Sequence, residues 1–414
     1  MAVTIESNPQ LYEPVYNEMV YVVSSTNSGQ TNFKYLADIY VNGGGTKEAR
    51  LKVPIEPTTG SAYGIIDVHR ILEAFLTSDI GDNTSTTGTT ANDNSIMTYI
   101  VKFGEQYGDP IVQYESLTVD TTRYAWNGCQ NYPDFESIGY LTYMLDDANA
   151  QFLTNAPTTI EVTTEDSGWL YYFHTGSPAV DAFELKTYDG KDGSGSLLGT
   201  WEINNSLTFA STGEYMGKVT STPLTIGNLP AGQFDSGTPP VFGGTELSYT
   251  IQAIDSVGAA LSELRTFNII EACKYPRQTV HFLNELGGFD HKNFNLARTD
   301  SYEIERKHFK KNPQRITAAG NYPFSLQDRQ KVQYYTKSKP KVKLTSDWLT
   351  EAESIWLREL VESPEIYLED SSNNLIAVGR ILNATYDVKT DTVHKLYNLE
   401  IELELSYDNY RQRG

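Results

Sequence analysis

Six histidines (His69, His174, His281, His291, His308 and His394) are the first candidates for chemistry. Imidazole trades protons near neutral pH and ligates metals. None stands in a spacing that such chemistry uses: there is no His-Glu-x-x-His, no His-x-His and no cysteine–histidine pair. His281 and His291, with Asp290 between them in VHFLNELGGFDHKNF, come nearest to a cluster. They read as polar groups lining a buried turn. Cys129 and Cys273 are far apart in the chain and form neither a disulfide framework nor a metal motif, so two isolated thiols are expected. Carboxylates are abundant, but no spacing selects a pair of the kind glycoside hydrolysis needs. The nucleophile elbow, the phosphate-binding loop and the dinucleotide fingerprint are all missing from the sequence. The chain therefore reads as a non-enzyme with no cofactor and no metal site.

The spacing that does stand out belongs to charge. Within a total of −21, residues 1–273 carry −22, residues 274–345 carry +9 and the remainder −8. Within this basic block, Arg306, Lys307, Lys310, Lys311 and Arg315 come close together, followed by Lys337, Lys339, Lys341 and Lys343. The last four alternate, so on a strand they share one face. A lysine face can track phosphates, but an acidic chain repels a polyanion at long range; direct nucleic-acid contact is not expected. Glu400, Glu402 and Glu404 alternate with Leu399, Ile401, Leu403 and Leu405, the pattern of a half-buried strand with an acidic outer face. The four lysines are expected to form one half of a contact between subunits. The carboxylates of residues 1–273, or those of Glu400, Glu402 and Glu404, would form the other half.

The elements that must position these residues are mostly strands. Tyr, Thr and Val are frequent, with 28 Tyr, and Gly, Asn, Asp and Ser clusters punctuate the chain. The expected class is mainly β: multi-domain β-sandwiches, one of them immunoglobulin- or fibronectin-like, with a C-terminal α+β unit. Residues 1–132 read as a β domain with strands at 19–24, 33–41, 49–53, 95–104 and 111–119. A helix over 66–76, capped by Asp67, interrupts them. Gly81–Asn94 lacks any large apolar residue and is expected to be a mobile loop. Residues 133–156 read as a connector with a helical or extended piece over 140–153. Residues 157–272 hold about seven short strands, the immunoglobulin-like signature. They lie at 158–163, 168–173, 182–188, 199–203, 223–226, 247–253 and 264–270. Tyr188–Gly195 is a glycine-rich hairpin turn; Lys191 stands where a calcium loop needs an oxygen ligand.

Residues 273–414 should give a basic strand over 331–344 and a helix at about 350–362. Strands at 365–369, 375–388 and 393–407 would follow. Thr350 and Glu353 form a capping box, and Ser363-Pro364 ends the helix. Trp348 and Trp356 are expected to be core anchors. The start MAVTIESNPQ has no basic and apolar leader pattern, and no apolar run is long enough to span a membrane. Synthesis in a cytoplasm is expected.

Several strings carry a resemblance: GIIDVHRILEAFL (Gly64–Leu76), YAWNG (Tyr124–Gly128), FLTNAP (Phe152–Pro157), LSELRTFNII (Leu261–Ile270) and VHFLNELGGFDHKNF (Val280–Phe294). The terminal SPEIYLED, YDVKT and LYNLEIELELSYDNYRQR complete the set. In this order they resemble tail and neck virion proteins of phages that infect Bacteroidetes-type hosts, the crAss-like phages included, over most of the chain. The resemblance implies a structural ring or distal-tail-like hub located in the virion tail. It would assemble as a homo-oligomeric ring of six- or twelve-fold symmetry and touch other tail or neck proteins. It transfers no catalytic residue. The C-terminal strand–helix–strand order also resembles the modules of tail tubes and distal tail proteins. The tyrosine content and the Gly81–Asn94 loop support an alternative, a carbohydrate-binding adhesin or receptor-binding tail protein.

Overall fold

The computed structural model describes residues 3–57, 62–81, 85–137, 139–174, 179–207, 215–271, 275–311, 318–321, 330–370, 372–382 and 398–411. The fold is mainly β, with several sheets arranged as sandwiches. Two compact units divide it: residues 1–271 with 283–290, and residues 272–282 with 291–414. Among the described residues no helix is long and apolar enough to cross a membrane.

The first unit begins with a three-stranded sheet (Val3–Ser7, Val20–Ser25, Gly64–Asp67) and a six-stranded one. The second sheet runs Tyr12–Pro14, Arg123–Trp126, Ile96–Tyr107, Lys34–Val41, Ala49–Val53, with Val112–Val119 added beside Ile96–Tyr107. Alternation explains the strands: Tyr21 and Val23 point inward to Tyr35, Tyr99 and Phe103 in one apolar core. The Tyr21 hydroxyl donates to Asp120 at 2.7 Å, and Arg123 pairs with the same carboxylate at 2.5 Å. Burial alone would push the Asp120 carboxyl up. The hydrogen bonds from Arg123 and Tyr21, with the Arg123 charge, hold it below the usual range instead.

The expected helix over 66–76 is shorter. Gly64–Asp67 is strand, and a single helical turn covers His69–Leu72 before a 3-10 turn at Glu73–Phe75. The helix N-cap is Val68, not Asp67; the Asp67 carboxylate accepts from the His69 amide at 3.2 Å and faces its ring at 2.7 Å.

Residues 157–271 form the immunoglobulin-like sandwich. One sheet runs Thr159–Val162, Arg265–Ile269, Ser248–Ile254, Ala182–Tyr188, Leu197–Asn204, with the first pair parallel and the rest antiparallel. Trp169–His174 pairs with Tyr215–Thr220 in the other sheet. The second and fifth strands in one sheet and the third, sixth and seventh in the other follow the immunoglobulin-like division, while the first strand lies beside the seventh instead of the second. Tyr249, at the start of Ser248–Ile254, donates to the Ser221 carbonyl at 2.7 Å.

Three expectations change here. Pro223–Gly227 is a helix, not a strand, because Thr222 and Thr225 form a capping box around Pro223 at the first turn. Gly81–Asn94 is not a free loop where it is described. Thr89–Ala91 adds a third strand beside Tyr215–Thr220, and the Gly88 carbonyl accepts from the Thr220 amide at 3.0 Å. Gly81 lies so close to the Trp169 ring, and Gly88 to Ile203, that neither position has room for a Cβ. Backbone pairing and close packing hold this segment without any large apolar side chain. The stretch 133–156 is more than a connector, since Leu145, Ala150 and Phe152 are buried in the core of the sandwich.

The second unit carries an antiparallel sheet. Its order is Phe289–Phe294, Gln278–Leu283, Ile366–Glu369, Leu375–Ile381, Glu400–Leu405, Lys331–Thr345, Thr299–Lys310, with Asn409–Tyr410 beside Lys331–Thr345. Thr350 caps the helix as expected: its hydroxyl accepts from the Glu353 amide at 3.2 Å, and Glu353 accepts from the Thr350 amide at 2.9 Å. Helical turns at Glu351–Trp356 and Arg358–Glu362 follow. Lys292 meets the Glu353 carboxylate at 2.6 Å. Leu349, Trp356, Leu357 and Leu360 are buried with Val342, Leu344, Ile401 and Leu403. Trp356 is a core residue against Phe282, but Trp348 is 65 % exposed and anchors nothing. The expected strands over 375–388 and 393–407 are seen as Leu375–Ile381 and Glu400–Leu405; residues 383–397 lie outside the described part.

Candidate interaction surface

The lysine strand and the acidic strand are neighbours in one sheet. Lys341 stands opposite Glu404 and Lys343 opposite Glu402. On the other side Lys339 stands opposite Glu303 and Lys337 opposite Glu305. Each lysine has a carboxylate within reach: Lys337 with Asp408 at 2.7 Å, Lys339 with Glu404 at 3.7 Å, Lys341 with Glu303 at 2.9 Å and Lys343 with Glu400 at 2.6 Å. Arg380 adds a second cation to Glu404 at 3.0 Å. The hydrogen bonds to Asp408 and Glu303 hold the Lys337 and Lys341 ammonium groups above their usual range, while Lys341 holds Glu303 below its own. Arg380 lowers Glu404 in the same way.

The expected contact between subunits set Lys337, Lys339, Lys341 and Lys343 against the carboxylates of residues 1–273 or against Glu400, Glu402 and Glu404, and the geometry bears on the second of these sets. These lysines and glutamates meet within one chain. Segregation along the sequence is not segregation in space, because antiparallel pairing brings distant segments side by side. The result is a mixed-charge sheet face, largely neutralised and screened by solvent.

The strand that closes this face was not legible as a strand. Thr299–Lys310 is twelve residues long and exposed throughout. It ends the sheet order, and among the described residues it pairs with Lys331–Thr345 alone. Its register stays continuous from Thr299 to Lys310; the one irregularity, at Lys307/His308, is a surplus residue, Tyr334, on the partner strand. Tyr302, Ile304 and Phe309 are exposed on it. Phe309 and Tyr334 stand 6.1 Å apart, and the Lys307 ammonium lies 5.1 Å from the Tyr335 ring. At the usual rise the strand is about 40 Å long. The alternation of Tyr302 and Ile304 with Glu303 and Glu305 was the available signal.

His281 and His291 are placed as buried polar groups. His281 meets the Glu369 carboxylate at 3.0 Å, and Arg277 meets the other oxygen at 3.2 Å. The His291 ring lies 6.0 Å from that of His281, tilted by 37°. Burial, then the neighbouring His281 charge, pulls the His291 imidazole down to about 3. Asp290 turns elsewhere and accepts from the Thr154 hydroxyl at 2.9 Å. Among the described residues no group of three His, Cys, Asp or Glu is arranged to hold a metal ion. Cys129 is exposed, its thiol pushed up by partial burial and by Glu285; Cys273 lies outside the described residues.

No family model and no curated protein matches the chain. Among solved structures it is similar to dimeric latent PorU from Porphyromonas gingivalis at 9 % identity and a TM-score of 0.18. The match covers 100 % of this chain and 33 % of that one, so this chain spans about a third of its length. A similarity of that size carries no argument about fold or function.

Proposed function

We propose that this chain is a structural subunit of a bacteriophage virion, a tail or neck ring or hub protein that acts by assembling. The ordered strings from Gly64 to the C-terminal segment support this reading. So does a body of β-sandwiches, a common build for subunits that pack side by side. The observation that carries it is the long exposed edge strand Thr299–Lys310 beside a mixed-charge sheet face. A free edge recruits other strands, and a patterned charge face rejects wrong registers. Heterologous contacts would close the ring, with six- or twelve-fold symmetry, and neighbouring tail or neck proteins would be its partners. Lys337, Lys339, Lys341 and Lys343 each have a carboxylate partner, so their shared face offers little net positive charge to a phosphate backbone.

The test is a cryo-electron microscopy map of the parent particle. Repeated copies of this chain around the tail axis are expected. Purified virions whose protein content lacks the chain by mass spectrometry would overturn the reading; binding of the isolated protein to host glycans would favour the adhesin instead.

A further inference from the structure

We propose that the edge strand Thr299–Lys310 pairs antiparallel with the same strand of a second copy, continuing the sheet across a two-fold axis. The first seven residues of the strand carry Asp300, Glu303 and Glu305, and the last five Arg306, Lys307 and Lys310. An antiparallel copy sets acidic part against basic part at both ends, so the edge is complementary to itself. This is a property of the pattern, not of net charge, and it selects a second copy over any uniformly charged partner.

The symmetry narrows the register. A two-fold axis that joins two antiparallel edges stands perpendicular to the sheet and keeps each face on its own side. Opposed residues must then share a face, which leaves only registers centred on a residue. Centring on Glu305 opposes Glu303 to the second copy's Lys307 and Asp300 to the second copy's Lys310, each pair occurring twice. Tyr302 then faces the second copy's His308. Only Glu305 meets its own charge, with Lys307 diagonal to it. Centring on Arg306 instead keeps one attractive pair type, Glu305 with Lys307, and opposes two guanidinium groups. Centring on Ile304 sets Glu303 against Glu305. The register on Glu305 therefore carries the most attraction. Opposite charges directly across a strand pair stabilise it and like charges oppose it. The contact is isologous, so it goes beyond the ring reading: it makes a dimer in solution, or joins two rings face to face.

Charge swapping tests it. Sedimentation velocity on the full chain at rising concentration measures self-association of the wild type, of D300K/E303K, of K307E/K310E and of their equimolar mixture. All four side chains are exposed, and circular dichroism checks that each variant keeps its fold. Each variant alone is expected to dimerise about tenfold more weakly or worse. The mixture is expected to recover wild-type dimerisation, because positions 300 with 310 and 303 with 307 again oppose charges of opposite sign, as in the wild type. Glu305→Gln, which removes the one repulsive pair, is expected to dimerise more tightly than wild type. The proposal is overturned if the mixture shows no recovery. It is also overturned if only K307E/K310E weakens association, which would mean an acidic surface elsewhere is the partner, or if the wild type shows no dimer at all. None of these results bears on whether virions contain the chain.

Discussion

Val112–Val119 in the first unit and Thr299–Lys310 in the second are both sheet-edge strands with mostly exposed side chains. Their edges differ. Phe103 pairs with Thr118 while Glu105 pairs with Tyr114, so four positions along Val112–Val119 span what two of its neighbour cover. Ser116 sits in that bulge with φ at 52°, and the Thr118 hydroxyl donates to the Val3 carbonyl at 2.5 Å. A bulge twists the edge and leaves no straight run of backbone groups for another strand. Thr299–Lys310 has no inserted residue and nothing described on its outer side. Exposure alone therefore does not mark an interface. An edge with no inserted residue of its own, length and a charge pattern that answers itself do.

The bulge is the feature whose loss should cost most. Gly104 lies opposite it, and a Cβ there would collide with the Tyr114 carbonyl oxygen and crowd the Glu115 Cα. Gly104→Ala is expected to lower stability by about 2–4 kcal/mol, measured by urea unfolding, because backbone on both sides must shift. A cost below about 0.5 kcal/mol would mean the bulge is loose, in line with ordinary surface changes; the contrast between the two edges would then weaken.

Acidity separates the two units in opposite senses. Burial pushes the Glu13 carboxyl up from 4.5 to about 7. A raised carboxyl leaves stability intact below pH 4.5 and removes it as the pH climbs to 7, here by roughly 3 kcal/mol. Glu13→Gln is expected to stabilise the first unit by roughly 2–3 kcal/mol at pH 8, with the gain vanishing towards pH 4.5. In the second unit His291 is lowered from 6.5 to about 3, so its contribution is complete above pH 6.5 and is lost as the pH falls below it. Calorimetry at pH 8, 6 and 4 should show the second unit losing ground to the first on acidification. Parallel shifts of both transitions would contradict these placements.

Much of the fold was legible because alternation is a local signal. Ala49–Val53 and Ala182–Tyr188 fall where the pattern put them, and the Thr350–Glu353 capping box starts its helix as read. Pro223–Gly227 reads as a strand because Leu224 and Ile226 alternate around Thr225 over too few residues to separate the two periods, and the capping threonines decide it. Thr89–Ala91 could not be found from side chains, since what holds it is pairing with Tyr215–Thr220, more than a hundred residues away. The charged site was half legible. The shared face of Lys337, Lys339, Lys341 and Lys343 follows from a period of two. That Glu404, Glu400, Glu303 and Asp408 would answer them inside the same chain depends on sheet order, which no local pattern carries.

Hydrogen exchange read separately on the two edge strands tests the comparison most directly. Amide exchange is followed in Val112–Val119 and Thr299–Lys310 as protein concentration is raised. Slower exchange confined to Thr299–Lys310, and absent in D300K/E303K, is the expected result. Equal slowing of both strands, or no change in Thr299–Lys310 at concentrations where the protein self-associates, would contradict the account.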